Sequence, residues 1–435
     1  MDWPKFRNTG IKLGFLSLTC LLGFGAYFCY DSPAALQTEL KQALNLTQAE
    51  YMSMYAWYSW PNVFLCFIGG YLVDQVLGRQ LGGIIFAGFV LFGQGILAFG
   101  VSKRSLVIMD IGRLIFGLGS ETLAVTGNAY AVAWFSGSML NSAFGMVLSV
   151  SRLGSTASLN ILGPLFHKLN DTVVEEDLGE FTESGVLSET LFIAGIACCM
   201  SFVIACLLAF LDKKFHKKVQ DFDSVIQCDD EQAPLIQPEL VDGFENVEDE
   251  DLLDDSLESL DDFEDSQSTT KFFDITEILN FPGGVWLLLA ICVFYYSSVF
   301  PLISQGVEFF QSWFGVSAKE ARMLNSVVYT MSLPCSPVMG MVIDRTKHNV
   351  VWVFIAICLT ITAHALMACV KWFALTPWVP MIILGLGYSI LACSLWPMVS
   401  FLVPQKKLAT AYGFMQAIQN CKYKICDSFC DFLLF

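Results

Sequence analysis

Gly70-Tyr71-Leu72-Val73-Asp74-Gln75-Val76-Leu77-Gly78-Arg79 closes one long apolar run of this chain, and Gly340-Met341-Val342-Ile343-Asp344-Arg345 closes another. In each, a glycine stands four residues before an aspartate, where the hydrophobic run ends. A glycine in a helix that crosses hydrocarbon lets a second helix come close. A carboxylate at the helix end can pair with a base or with a helix N-terminus across an interface. The recurrence of this pattern on both sides of an acidic segment predicts two parallel repeats of one helical unit.

Working outward, a helix needs about 20 mostly apolar residues to cross a bilayer core. Ten segments qualify: 11–30, 52–73, 82–101, 107–135, 142–165, 191–211, 285–304, 322–343, 350–370 and 377–403. An eleventh starts at Leu408 and gives way to Cys421-Lys422-Tyr423-Lys424 after Asn420. Hydrophobic residues make up 55% of the 435 residues, and mean hydropathy is +0.57 by composition. These values indicate an all-α membrane protein with about 10–11 transmembrane helices.

Nineteen of the 41 acidic residues lie between Asp221 and Asp265, where no Lys or Arg occurs. Without them the formal net charge of -17 becomes about +2, so the acidity belongs to one segment. Such a charge block cannot bury enough apolar surface to fold and reads as a disordered linker. The expected organisation is a six-helix repeat over 1–212, a cytosolic linker over 213–280, an incomplete second repeat over 281–420 and a divergent tail over 421–435.

With the N-terminus in the cytosol, thirteen basic residues fall on the cytosolic side and seven on the other, which favours this orientation. The two glycosylation sequons, at Asn45 and Asn170, then both lie outside the cytosol. The 15 cysteines are scattered without paired spacing and read as small apolar core residues.

The Gly70 to Asp74 stretch resembles the Gly-x-Leu-x-Asp motif that follows the second helix of the major facilitator superfamily, and Gly340 to Asp344 resembles its counterpart in the second repeat. Arg113-Leu114-Ile115-Phe116-Gly117-Leu118-Gly119 is similar to that superfamily's fourth-helix Arg-x-x-x-Gly-x-Gly pattern. Three further strings resemble one branch of it, the lysosomal dipeptide transporters: Phe24 to Gln37, Tyr55 to Asn62 and Ala411 to Gln416. The likeness runs from residue 15 to Asn420 apart from the acidic segment. It implies two six-helix repeats, alternating access, export of dipeptides from the lysosome, and a glycosylated lysosomal membrane protein as accessory subunit. Relatives continue through helices eleven and twelve. By that comparison this chain reads as a C-terminally truncated form that is short-lived and transports poorly.

Ionisable groups at mid-membrane are costly and need a partner or a task. Glu121 lies about 21 Å from either end of the fourth span, and Arg152 about 16 Å from the cytosolic end of the fifth. Arg113, Gly117, Glu121 and Asn128 share one face of the fourth span, with Arg113 close enough in sequence to pair with Asp110. Ser149, Arg152, Thr156 and Asn160 form a comparable stripe on the fifth. Two readings stand. In one, Glu121 and Arg152 form an ion pair that glues helices together. In the other, they hold the α-ammonium and carboxylate of a zwitterion across a water-filled cavity. Asn325 and Tyr329, with Tyr296 and Trp396, are the candidates for contacts from the second repeat. His364, on the ninth span, reads as structural. The first span, Ile11 to Tyr30, carries no acidic residue. Proton-driven peptide carriers of this fold have a Glu-x-x-Glu-Arg motif there, so uniport is expected.

Within the linker, Glu231-Gln232-Ala233-Pro234-Leu235-Ile236 fits the acidic dileucine pattern read by clathrin adaptors, as does the string ending in Leu252-Leu253. Lys213, Lys214, Lys217 and Lys218 are placed to meet anionic membrane lipid. No nucleophile–base pair, phosphate loop or metal-spaced His/Cys cluster is present. The sequence therefore points to no enzyme, no cofactor, no metal and no nucleic-acid partner. The alternatives to a dipeptide carrier are a transporter of another organic anion or amino acid, or a non-transporting regulatory form.

Overall fold

Hydrocarbon-length helices follow one another through almost all of the computed structural model, which describes residues 3–135, 139–175, 183–231, 281–373 and 376–420. Among these residues there are fifteen α-helices and no strand. The first span is broken at Gly23 into α1 (Trp3–Leu22) and α2 (Phe24–Tyr30), and two short helices follow, α3 (Ser32–Ala35) and α4 (Gln37–Leu44). The second span is α5 (Gln48–Ser59) and α6 (Asn62–Leu72), interrupted at Trp60-Pro61. Proline cannot continue the hydrogen-bond ladder of the preceding turn. A wider turn over Val73–Leu77 then leads to α7 (Gly78–Ser102), α8 (Leu106–Trp134), α9 (Leu140–Glu175) and α10 (Glu183–Glu231). The second half holds α11 (Gly283–Phe314), α12 (Ala318–Thr346), α13 (Asn349–Phe373), α14 (Trp378–Leu402) and α15 (Leu408–Asn420).

Local chemistry sets the ends. Thr47 and Glu50 form a reciprocal capping box at α5, with Thr47 N–H donating to Glu50 at 2.8 Å and Glu50 N–H to Thr47 at 3.2 Å. Ser317 accepts from Glu320 N–H at the start of α12. Seven segments are apolar and long enough to cross a membrane, and one of them, Gln48–Ser102, holds two of the expected spans. Besides the short α3 and α4, the helices outside these segments are α8, α9 and the short α15, which carry Glu121, Arg152 and Gln416.

By contacts the chain forms two units, 1–216 with 281–435, and 217–280. Within the first unit α7 packs on α8, α13 on α14, α12 on α9 and α6 on α15. The last two pairs join the repeats, and they share one register. Asp74 accepts from the N–H groups of Ala409 (3.1 Å) and Thr410 (2.6 Å) and from the Thr410 hydroxyl (2.7 Å). Asp344 accepts from the N–H groups of Asn141 (3.0 Å) and Ser142 (2.7 Å), from the Asn141 amide and from the Ser142 hydroxyl. Each carboxylate thus caps the N-terminus of a helix in the other repeat.

The glycine four residues before each aspartate lies against the same place. A Cβ on Gly70 would collide with the Ala409 carbonyl, and one on Gly340 would stand 2.6 Å from the Asn141 carbonyl. One turn further along, Gly413 abuts the Cys66 carbonyl, and Gly145 abuts that of Ser336. The carboxylates therefore select a helix N-terminus, not a base, as partner. Both seams lie at the end that the basic-residue count assigns to the cytosol.

Asp212 ties the same end of the first repeat together. Its buried carboxylate accepts from Arg79 (2.9 and 3.2 Å), Gln80 (2.8 Å) and Trp134 (2.9 Å). One boundary differs from the sequence reading: α10 runs on to Glu231, so residues 213–231 of the expected linker are helical. Of the second unit, 217–231 form the end of that helix. Leu235, Ile236, Leu252, Leu253 and the tail at 421–435 lie outside the described residues. Asn45 is exposed in a left-handed C-cap (φ 54°), and Asn170 sits half-buried in α9.

Candidate functional site

Glu121 on α8 and Arg152 on α9 both line one cavity between the repeats. They do not bond to each other: the ion pairs among the described residues are Arg79–Asp212 and His167–Glu39. Glu121 accepts from the Tyr58 hydroxyl at 2.8 Å and from the side-chain amide of Gln416. Arg152 donates to the Ser332 hydroxyl at 2.5 Å, and its guanidinium lies 4.3 Å from the centroid of the Tyr388 ring. Both side chains are buried, at 8% and 4% exposure. A buried charge left unpaired would be strongly destabilising. Here hydroxyl and amide donors hold the anion, and a ring face with one hydroxyl holds the cation. Ser332 takes one of five guanidinium N–H donors, and no other hydrogen-bond acceptor for the guanidinium is present among the described residues.

The remaining polar wall comes from both repeats. Asn128 lines the cavity on α8, and Tyr296, Tyr329 and Trp396 line it from α11, α12 and α14. Trp396 donates its indole N–H to the Tyr296 hydroxyl at 3.0 Å, and Tyr388 meets Tyr296 and Tyr329 edge-on. These residues, with Glu121 and Arg152, are the expected site residues that the fold brings together.

Other expectations are corrected. Asn325 does not line the cavity: its amide donates to the Ile303 carbonyl at 2.8 Å, and its oxygen fills the place where Gly306 lacks a Cβ. Arg113 does not pair with Asp110, which accepts instead from Ser53. Arg113 is wholly buried among the rings of Tyr30, Tyr55, Tyr58 and Phe116, and it donates to the carbonyls of Cys29 and Tyr30.

Gly117 lies against the Tyr58 carbonyl, so its role is close packing. On α9 the cavity face is Leu148, Ser151, Arg152 and Ser155, and the predicted partners Ser149, Thr156 and Asn160 lie off it. Those three satisfy themselves on backbone carbonyls: Ser149 on Leu333, Thr156 on Arg152 and Asn160 on Thr156. His364 directs its ring nitrogens at the Thr360 and Ser298 carbonyls and does not reach the cavity.

Sequence reasoning missed Tyr27, Asp31, Tyr58, Tyr388 and Gln416, all of which line the cavity. Tyr27, Asp31, Tyr58 and Gln416 stand inside the strings that carried the branch resemblance, which was the available signal. Tyr388 offered none, being an aromatic residue beside glycine in an apolar span.

The profile described as Major Facilitator Superfamily matches residues 18–421. Lysosomal dipeptide transporter MFSD1 of Homo sapiens is 41% identical over 409 residues, covering 94% of this chain and 77% of the relative. The protein of the same name from Danio rerio is 41% identical over 405 residues, covering 93% and 77%. Among solved structures, the proton:xylose symporter XylE superposes with a TM-score of 0.67 at 12% identity, covering 97% of this chain and 89% of that one. The transporter FucP in the outward conformation gives 0.63 at 12% identity, covering 96% and 91%.

Proposed function

Since the chain belongs to the Major Facilitator Superfamily, we propose that it is a lysosomal membrane transporter that exports dipeptides to the cytosol by alternating access, as a uniporter. The observation that carries this reading is the pair of opposite charges in one cavity between the repeats, each held by neutral groups and not by the other. A dipeptide, with an ammonium at one end and a carboxylate at the other, offers each of them an opposite charge. Arg152 takes the carboxylate through its unused N–H edge, and Glu121 takes the ammonium. Tyr296, Tyr329, Trp396 and Asn128 meet the peptide unit and side chains. The relatives' name supports the dipeptide and the lysosome. Uniport rests on the first span, which has no carboxylate between Ile11 and Tyr30.

The test is uptake of a labelled dipeptide into proteoliposomes by the full chain and by Glu121→Gln and Arg152→Ala. Each substitution removes a charged contact of about 3 kcal/mol, so affinity should fall about 100-fold. Wild-type dipeptide affinity in either variant overturns the assignment.

The partners belong to the same reading. The linker motifs at Glu231, Leu235 and Ile236 and at Leu252 and Leu253 bind clathrin adaptors, and a glycosylated lysosomal membrane protein is the accessory subunit, with glycans on Asn45 and Asn170. Changing all four dileucine-motif residues to Ala should move the protein to the cell surface. Retention in lysosomes would assign the address to the accessory subunit.

A further inference from the structure

Gln416 joins the ligand's ammonium site to the cytosolic seam. Its side chain donates to Oε2 of Glu121, across the boundary between the repeats, while Tyr58 holds Oε1. Six residues earlier on α15, about 9 Å along the axis, the Thr410 N–H and hydroxyl donate to Asp74. Between them Gly413 lies against the Cys66 carbonyl. One 13-residue helix thus carries the ligand-site contact, the close approach and the cap. A primary ammonium brings full charge and three donors to the same carboxylate, and a charge-assisted bond is about twice as strong as a neutral donor's.

We propose that Gln416 is a positioning residue that stands in for the substrate's ammonium on Glu121. Resting on the reading above, an arriving dipeptide displaces Gln416, frees α15 at mid-depth and so promotes opening to the cytosol. When the dipeptide leaves, Gln416 returns to Glu121 and the seam recloses.

Cys66 is a native reporter. It is fully buried in the seam between α6 and α15, where its sulfur accepts from the Asn420 amide at 3.7 Å. Alkylation by N-ethylmaleimide, followed by mass spectrometry of the Cys66 peptide, reads seam opening in the full-length protein in proteoliposomes. Alanyl-alanine should accelerate labelling of wild type about tenfold, the equivalent of one charged hydrogen bond. N-acetyl-alanyl-alanine, which has no ammonium, should not. Gln416→Met should label fast without dipeptide and gain less than about twofold from it. Gln416→Lys tethers an ammonium to α15 and should protect Cys66 with or without dipeptide.

A wild-type response to dipeptide in both variants overturns the role of Gln416. If Gln416→Met does not fold, Gln416→Lys decides alone. Failure of the underlying reading looks different, because Glu121→Gln would then keep its dipeptide affinity.

Discussion

Replacing Asp74 with Asn tests whether the seam between α6 and α15 is held by a carboxylate on a helix N-terminus. Asp74 receives three donors, two of them to one oxygen: Thr410 N–H at 2.6 Å and Thr410 hydroxyl at 2.7 Å, with Ala409 N–H at 3.1 Å on the other. An amide keeps one acceptor. Whichever way it is turned, its NH₂ faces at least one backbone N–H, which loses its partner. The favourable charge at the helix terminus is lost as well, a contribution of up to about 2 kcal/mol in a partly buried site. A lost cap costs about 1 kcal/mol more. Allowing for relaxation and water entry, about 2 kcal/mol is a conservative net figure, which is about a 30-fold rise in the open fraction.

Hydrogen exchange of the peptide that contains Ala409 and Thr410 should therefore quicken about 30-fold. Exchange at Asn141 and Ser142 should change far less, because their cap is Asp344. Asp344→Asn should show the mirror result. Unaltered exchange at Ala409 and Thr410 in Asp74→Asn would refute the cap as the source of closure.

Two further predictions follow from single carboxylates. Asp212→Asn leaves the Arg79 guanidinium without its anion and weakens the bonds from Gln80 and Trp134. It should cost about 3 kcal/mol, read as a lowered Tm, and an unchanged Tm would show that the cluster is not needed. Asp31 lies just beyond the first span, and burial pushes its carboxyl up to about 6 against the opposing effects of Ser155 and Arg113. The folded protein then holds a proton that the unfolded chain has already released, so stability should rise as pH falls through about 6. The Tm in detergent should be higher at pH 5 than at pH 7, and Asp31→Asn should flatten that slope; an equal slope in the variant removes Asp31 as its cause.

The spans were legible because the bilayer imposes a length that soluble helices need not meet. The seam aspartates were legible because the pattern at Gly70 and Asp74 returned at Gly340 and Asp344. Their partners were not, since Ala409 and Asn141 carry no mark in sequence of the N–H groups they present. Glu121 and Arg152 stood out through the cost of charge in hydrocarbon, whereas Tyr388 and Ser332 could be found only by knowing which helix faces Arg152. Periodicity misled at Thr156 and Asn160. A polar side chain on a helix can bond its own turn and owe nothing to a cavity. Asn325 misled for a related reason: it sits one turn from Tyr329 yet serves the carbonyl of Ile303.

The caps at Asp74 and Asp344 also determine the timing of the carrier. An opposite charge would attract over several ångströms in a weakly screened medium, drawing the halves together from afar. A helix terminus offers a partial charge whose effect fades within its first turn. Each seam gains its direct cap only once its carboxylate is within hydrogen-bonding distance of the helix terminus. Closure is therefore found by diffusion, without steering, and the dwell time of the shut state is governed by the escape step. A variant weakened at either aspartate opens sooner but shuts no more slowly.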